Sequence, residues 1–373
     1  MLRHTTRVAS RIIMTSSAAK TLRFKEAMRI VYGPFNQLSP EEASAWVPPD
    51  NPGAGGHRGR YLWTDAFGVV NFITLSQEEK ISSPNNIYLT LARRLVGKVH
   101  DVLGRTRDGS ARLFRATDAE PLAGGLRIGK VDADGPDGDG QYHHYLTLWM
   151  FALNRLAIAA GDYEYNRLAV QLAKAIHPHF VVRDGQRGGV RMYWKMSTDL
   201  KTVLVPREGH LDAATGYVVY KLLQRTAKQF SEEETLDAEI ADYRSIMDSG
   251  DKLRPSGDAL DLGMCLWMCH FFRDEEEWAR ELGNQSLAVA RVVLSGFMAR
   301  SASHRLAFRE FGACMGLKVY GVDDELAARV DAIVDFWQKY LEKSADEDLR
   351  PISLVMYAAA LIPGAFQDGY LKT

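Results

Sequence analysis

The chain reads as all-α, a double ring of six helical hairpins with buried inner helices and half-wet outer ones. Three observations predict this. Helical apolar periodicity covers most of the chain from residue 20 on. Runs that are apolar on nearly every side alternate with runs that carry a single apolar stripe, as inner and outer layers would. Each inner run is opened by a polar cluster: Trp63-Thr64-Asp65, Asp139 to His144, Glu208 to Asp212, Asp258 to Asp261, Arg309-Glu310, and Asp346 to Arg350.

The elements follow in order. A first helix fits 20–32, and 33–60 is irregular, with Pro34, Pro40, Pro48, Pro49 and Pro52 breaking any regular structure. A helix over 64–77 precedes one over 85–103, where Ile87, Leu91, Leu95 and Val99 recur every fourth residue on one face. The long stretch 105–139 is expected to hold a short hairpin around Gly124-Gly125-Leu126-Arg127-Ile128. Helix 141–160 is apolar almost all round, whereas 163–181 mixes Glu164, Asn166, Arg167, Gln171 and Lys174 with one stripe. The connection 183–209 contains strand-like Val190 to Met196. Helices then fit 211–229, 232–247, 258–272, 275–299, 303–320, 323–341 and 350–362. Links from an inner helix to the next outer one are short. The three longest links, 33–60, 105–139 and 183–209, all lead back to an inner helix, so they gather over the inner N-termini. Helix N-termini carry partial positive charge and unpaired N–H groups, and long loops in compact domains tend to be functional. That end is the expected ligand mouth.

Composition narrows the function classes. The 373 residues hold 46 Lys and Arg against 47 Asp and Glu, which removes the electrostatic case for nucleic acid as a partner. No stretch has the length and apolarity of a transmembrane span. Three cysteines, Cys265, Cys269 and Cys314, make no disulfide framework and point to a reducing, cytoplasmic compartment. Residues 1–19 form a basic extension before a single domain, 20–373; the Arg, Lys, Ser and Thr content up to Lys25, with no acid before Glu26, gives mitochondrial targeting as the alternative. No strand–Gly-rich-loop–helix fingerprint, P-loop, zinc spacing or nucleophile elbow is present, so no cofactor and no metal are expected. Asp132, Asp134, Asp137 and Asp139 fail the EF-hand spacing, because Pro136 takes a ligand position and no Glu closes the loop.

Chemistry-bearing residues concentrate at the mouth. Asp65, Asp139, Glu208, Asp212, Asp258, Asp261 and Glu310 are its carboxylates. For Asp65, Asp139 and Asp258 helix capping is the first reading. Glu208, His210 and Asp212 put three ionisable groups within five residues, more than a cap requires. One of the adjacent His143 and His144 is expected to face the ring interior as a proton carrier. The catalytic candidates are therefore His143, His144, Glu208, His210 and Asp212. Candidates for holding a small-molecule substrate are Trp63, Asp65, Asp139, Tyr142, Trp194, Lys195, Arg309 and Glu310, with Arg127 and Lys130 as further cations.

Asp137 to Leu146, Trp149-Met150-Phe151-Ala152-Leu153-Asn154-Arg155, and Arg191-Met192-Tyr193-Trp194-Lys195-Met196-Ser197, set in twelve alternating helices, resemble a branch of the six-hairpin, glycosidase-like (α/α)6-toroid superfamily. The likeness covers most of 60–365. It implies an (α/α)6 toroid and cofactor-independent acid–base chemistry on a sugar or sugar-like ligand, as hydrolase or epimerase. Two alternatives stay open. One is an isomerase, lyase or cyclase that shapes a hydrophobic metabolite; the other is a binding or scaffold protein that kept the ring and lost the chemistry.

Overall fold

The computed structural model describes the backbone of residues 2–371, except 54–58, 81–85, 134, 136–137, 184–188, 231–235, 251, 299 and 342–348; side chains are described from residue 17 on. Asp134, Pro136 and Asp137 of the acidic loop, and the side chains of residues 1–16 of the basic extension, lie outside the described residues.

Thirteen α-helices are present among the described residues: α1 (Leu2–Tyr32), α2 (Pro40–Ala45), α3 (Leu62–Glu78), α4 (Ile87–Leu103), α5 (His143–Ala160), α6 (Glu164–Phe180), α7 (Asp212–Gln229), α8 (Asp237–Asp248), α9 (Ala259–His270), α10 (Glu277–Phe297), α11 (Ala307–Tyr320), α12 (Asp324–Leu341) and α13 (Arg350–Leu361). Twelve of these correspond to the sequence reading. The addition is α2, one turn with a complete capping box between Ser39 and Glu42.

The inner ring is α3, α5, α7, α9, α11 and α13. Each packs on the next, and α13 closes on α3. Their burial explains the apolar runs: α3 is buried from Leu62 to Ser76, and α13 from Ile352 to Leu361. The outer helices α4, α6, α8, α10, α12 and α1 back onto α3, α5, α7, α9, α11 and α13 in turn. On α4 the buried stripe is Tyr88, Leu91, Leu95, Val99 and Leu103, with Arg93, Arg94 and Lys98 off it. The seam between α9 and α11 is the tightest in the ring. A Cβ at Gly263 would run into the Gly312 carbonyl, and one at Gly316 into the Gly263 carbonyl, so backbone touches backbone there. No helix among the described residues is long and apolar enough to cross a membrane.

The strands are few: β1 (Gln141–Tyr142), β2 (Val181–Arg183), β3 (Val190–Met192), β4 (Lys195–Met196) and β5 (Val203–Val205). Sheet β1-β4-β5 pins the 195–205 loop to the start of α5. The hairpin expected at 124–128 does not form. The Gln141 side chain threads that turn instead: its Oε1 accepts from Leu126 N at 3.0 Å and its Nε2 donates to Gly124 O at 2.9 Å. Gly125 sits at φ +76, where a side chain would collide with Gln141.

Candidate active site at the mouth of the ring

Polar groups link the first turns of α5, α7, α9 and α11. Arg309 of α11 donates to Asp258 at the head of α9 at 2.6 Å, and its charge also reaches the Tyr145 hydroxyl of α5. Asp261 of α9 and Glu208, in the loop before α7, act electrostatically on Asp212 at the first turn of α7. Groups far apart in sequence thus share one mouth.

The α3–α5 side is aromatic. Trp63 packs on His144 at 5.7 Å and on Tyr145 at 5.3 Å between ring centroids. Trp194, carried in by β4, stacks on His144 at 5.9 Å and meets Tyr142 at 5.5 Å, and Arg207 lies over the Trp194 ring. Trp63 itself is buried, so the half-buried rings facing the opening are Tyr142, His144, Tyr145 and Trp194. Trp194 Nε1 donates to His144 Nδ1 at 3.0 Å. Indole nitrogen is a donor only, so His144 Nδ1 carries no proton and the neutral ring holds its proton on Nε2. Burial pushes the His144 pKa down to about 3, which keeps it neutral. His144 is thus an N–H donor through Nε2.

The α7–α9 side is acidic. Asp212 is 5% exposed, and its Oδ2 has no hydrogen-bond partner among the described residues. Burial, then the charges of Asp261 and Glu208, push its pKa up to about 8; the Gly209 N–H opposes the shift. The carboxyl is therefore protonated at neutral pH. The 208–211 turn holds it there: Leu211 is left-handed at φ 59, and Gly209 lies so close that a Cβ would strike the Asp212 carboxylate. The Asp261 pKa is raised by burial and by Asp258, while His210, Arg309 and Ser256 pull it back. Glu208 is ion-paired with Lys252. A cavity of ≈ 360 Å³ opens here, lined by Glu208, Gly209, His210, Leu211 and Asp212 together with Ile246 and Met247 from the last turn of α8 and Lys252 and Leu253 beyond it.

The remaining candidates from the sequence lie in the walls. His143 is fully buried and turned away from His144; its Nε2 meets the Tyr243 hydroxyl at 2.6 Å. Asp65 and Asp139, expected first as caps, do not cap: α3 and α5 start at Tyr61 and Tyr142 with no side-chain cap. Asp65 is instead buried in an ion pair with Arg60 at 2.9 Å and accepts from Tyr32. Asp139 Oδ2 takes Arg127 at 2.6 Å and Arg107 at 2.9 Å, while Oδ1 takes the Gly129 and Lys130 N–H groups. Arg127 is thereby committed to Asp139. Asp258 does cap its helix, accepting from Leu260 N and Asp261 N. Glu310 is locked to Arg305 at 2.6 Å and to Trp337 Nε1 at 2.8 Å, on the outer side of α11. Lys195 is buried, with Nζ on Gly138 O at 2.7 Å and lying over the Tyr142 ring. No His, Cys, Asp and Glu cluster able to hold a metal occurs among the described residues, and the three cysteines are free and buried.

Sequence reasoning left out Tyr61, Tyr145, Arg207 and Lys252 as site groups. Tyr145 follows His144 directly, so the helix start gave a usable signal. Lys252 gave none, because it arrives from the end of an outer helix.

Neither protein-family models nor curated proteins match the chain. Solved structures do. A glycoside hydrolase family 76 mannosidase from Bacteroides thetaiotaomicron aligns at TM-score 0.51 and 14% identity, over 93% of this chain and 98% of that one. Cellobiose 2-epimerase from Spirochaeta thermophila aligns at TM-score 0.50 and 13% identity, over 82% and 86%. A second family 76 glycoside hydrolase, from a bovine Bacteroides thetaiotaomicron strain, gives TM-score 0.52 and 12% identity, over 94% and 78%. Both kinds of neighbour are sugar-acting enzymes by name. At this identity they speak for architecture alone, and the architecture is an (α/α)6 toroid of six helical hairpins.

Proposed function

We propose that the protein is a carbohydrate-active enzyme that works by acid–base catalysis without a redox cofactor, and that glycoside hydrolysis is its reaction. One observation carries this reading: Asp212 is a buried carboxyl in a cavity wall with Oδ2 unpartnered among the described residues, beside carboxylates whose charges favour its protonated form. Hydrolysis of a glycosidic bond uses one protonated carboxyl and one ionised one, and both pKa values are raised here, that of Asp261 against the opposing charges of His210 and Arg309. In this scheme Asp212 is the acid and Asp261 the base that activates water. Neutral His144 donates Nε2–H to a sugar oxygen, and Tyr142, Tyr145 and Trp194 offer ring edges and faces to the sugar. His143, Asp65, Asp139, Lys195 and Glu310 hold the walls, and Arg309 orients Asp258.

Epimerisation is the second reading. It is favoured by a donor histidine among aromatic rings, which suits polarising a sugar carbonyl. A panel of mannosides, glucosides and reducing disaccharides, followed by chromatography of the products, separates the two. Free sugar and alcohol support hydrolysis; an isomer of unchanged mass supports epimerisation. If every substrate stays intact, or if Asp212→Asn retains full turnover, the proposal is wrong.

A further inference from the structure

Asp212 stands between two unlike surroundings. On one side it feels the charge of Asp261, which in turn feels Asp258 and Arg309. It also lines the ≈ 360 Å³ cavity, whose walls include Leu211, Ile246, Met247 and Leu253. Two of the polar groups in those walls, Glu208 and Lys252, are already paired with each other. His210 and Asp212 are the other polar side chains of the wall, so a second sugar ring would set more hydroxyls against Leu211, Ile246, Met247 and Leu253 than these two can pair, and each unpaired hydroxyl is costly. An alkyl or aryl group meets no such cost.

A general acid gives its proton to the leaving-group oxygen, so the leaving group lies against Asp212. We propose that this cavity receives an apolar aglycone, and that the substrate is an alkyl or aryl glycoside rather than an oligosaccharide. The inference rests on the hydrolytic reading above. In the step, the bond from the anomeric carbon to the aglycone oxygen breaks and the Asp212 proton goes to that oxygen. Water adds to the anomeric carbon, and its released proton passes to the Asp261 carboxylate. The products are the free alcohol or phenol and the reducing sugar, and proton exchange with solvent resets both carboxyls. The cavity is at the small end of the roughly 300–1,000 Å³ range of small-molecule sites, which suits a medium alkyl chain or one aromatic ring.

The test uses the full-length protein and two arms. In the first, straight-chain alcohols from butanol to octanol are titrated by calorimetry. Affinity is expected to rise about fourfold per added methylene, the yield of burying one such group. Leu253→Ser and, separately, Met247→Ser are expected to flatten that rise; Leu253 is only half-buried, so its variant keeps the test open should Met247→Ser not fold. In the second arm, kcat/KM is compared for n-octyl and methyl mannosides and glucosides, with the octyl compounds favoured at least tenfold. No dependence on chain length, or a dependence unchanged in a folded variant, overturns the aglycone site. A chain-length dependence that maps to the cavity, with no glycoside cleaved, leaves the apolar site standing and removes the hydrolytic reading.

Discussion

Asp212→Asn is expected to make the protein more stable and much less active, with the stability gain growing as pH rises. The Asp212 pKa rises from an ordinary 3.8 in the unfolded chain to about 8 in the fold. The fold therefore binds a proton that the unfolded chain has released between those two values. Stability from this group is complete below about pH 4 and is lost as pH climbs towards 8, at up to about 1.4 kcal/mol per pH unit. Carried across the whole window, the loss is on the order of 5 kcal/mol, because each pKa unit is worth about 1.36 kcal/mol. Asparagine keeps the shape and cannot ionise, so it escapes the loss. Urea denaturation of wild type and variant at steps from pH 5 to 9 reads this directly. The gap between the two should widen with pH and level off above about 8, where wild-type activity should also fall as the acid loses its proton. Turnover in the variant should drop by about 10²–10⁴, the usual weight of a general acid. A gap that does not change with pH would refute the argument that Asp212 is a buried, protonated carboxyl.

Other expectations follow from the same geometry. Trp194→Phe keeps an aromatic ring but removes the donor to His144 Nδ1, so ¹⁵N NMR should show the histidine tautomers mixing and kcat should fall about tenfold or more. His143→Phe should cost about 1–2 kcal/mol in chemical denaturation through the lost Tyr243 hydrogen bond and leave kcat/KM within a few fold, whereas His144→Phe should remove most activity. Glu310→Gln leaves the buried Arg305 without its counter-charge and should cost about 3–5 kcal/mol, with specific activity per folded molecule unchanged. Gly263→Ala should lower thermal stability sharply, by about 2 kcal/mol or more, because α9 and α11 touch backbone to backbone. Gly257→Ala, where a Cβ meets open space, is the matching control.

The helices were legible in the sequence because burial leaves a periodic record. Trp149, Phe151 and Leu153 on α5 point different ways and are all buried, which only an inner helix allows. Loop lengths pointed to one end of the ring, since the three longest connections end at inner N-termini. The cluster from Glu208 to Asp212 was legible for a local reason: three ionisable groups in one turn exceed what a helix start uses.

What each candidate does at that mouth was decided by tertiary structure. Adjacent His143 and His144 are alike in sequence, yet the helix points one at Tyr243 and the other at Trp194. Asp65, Asp139 and Glu310 sit near helix starts just as Asp212 does, but arginines at 60, 127 and 305 neutralise them, while Asp212 meets acids. The ring follows from apolar periodicity, a property of residues near one another in sequence. Protonation follows from burial and from charges brought in by other helices, so only the closed ring fixes it.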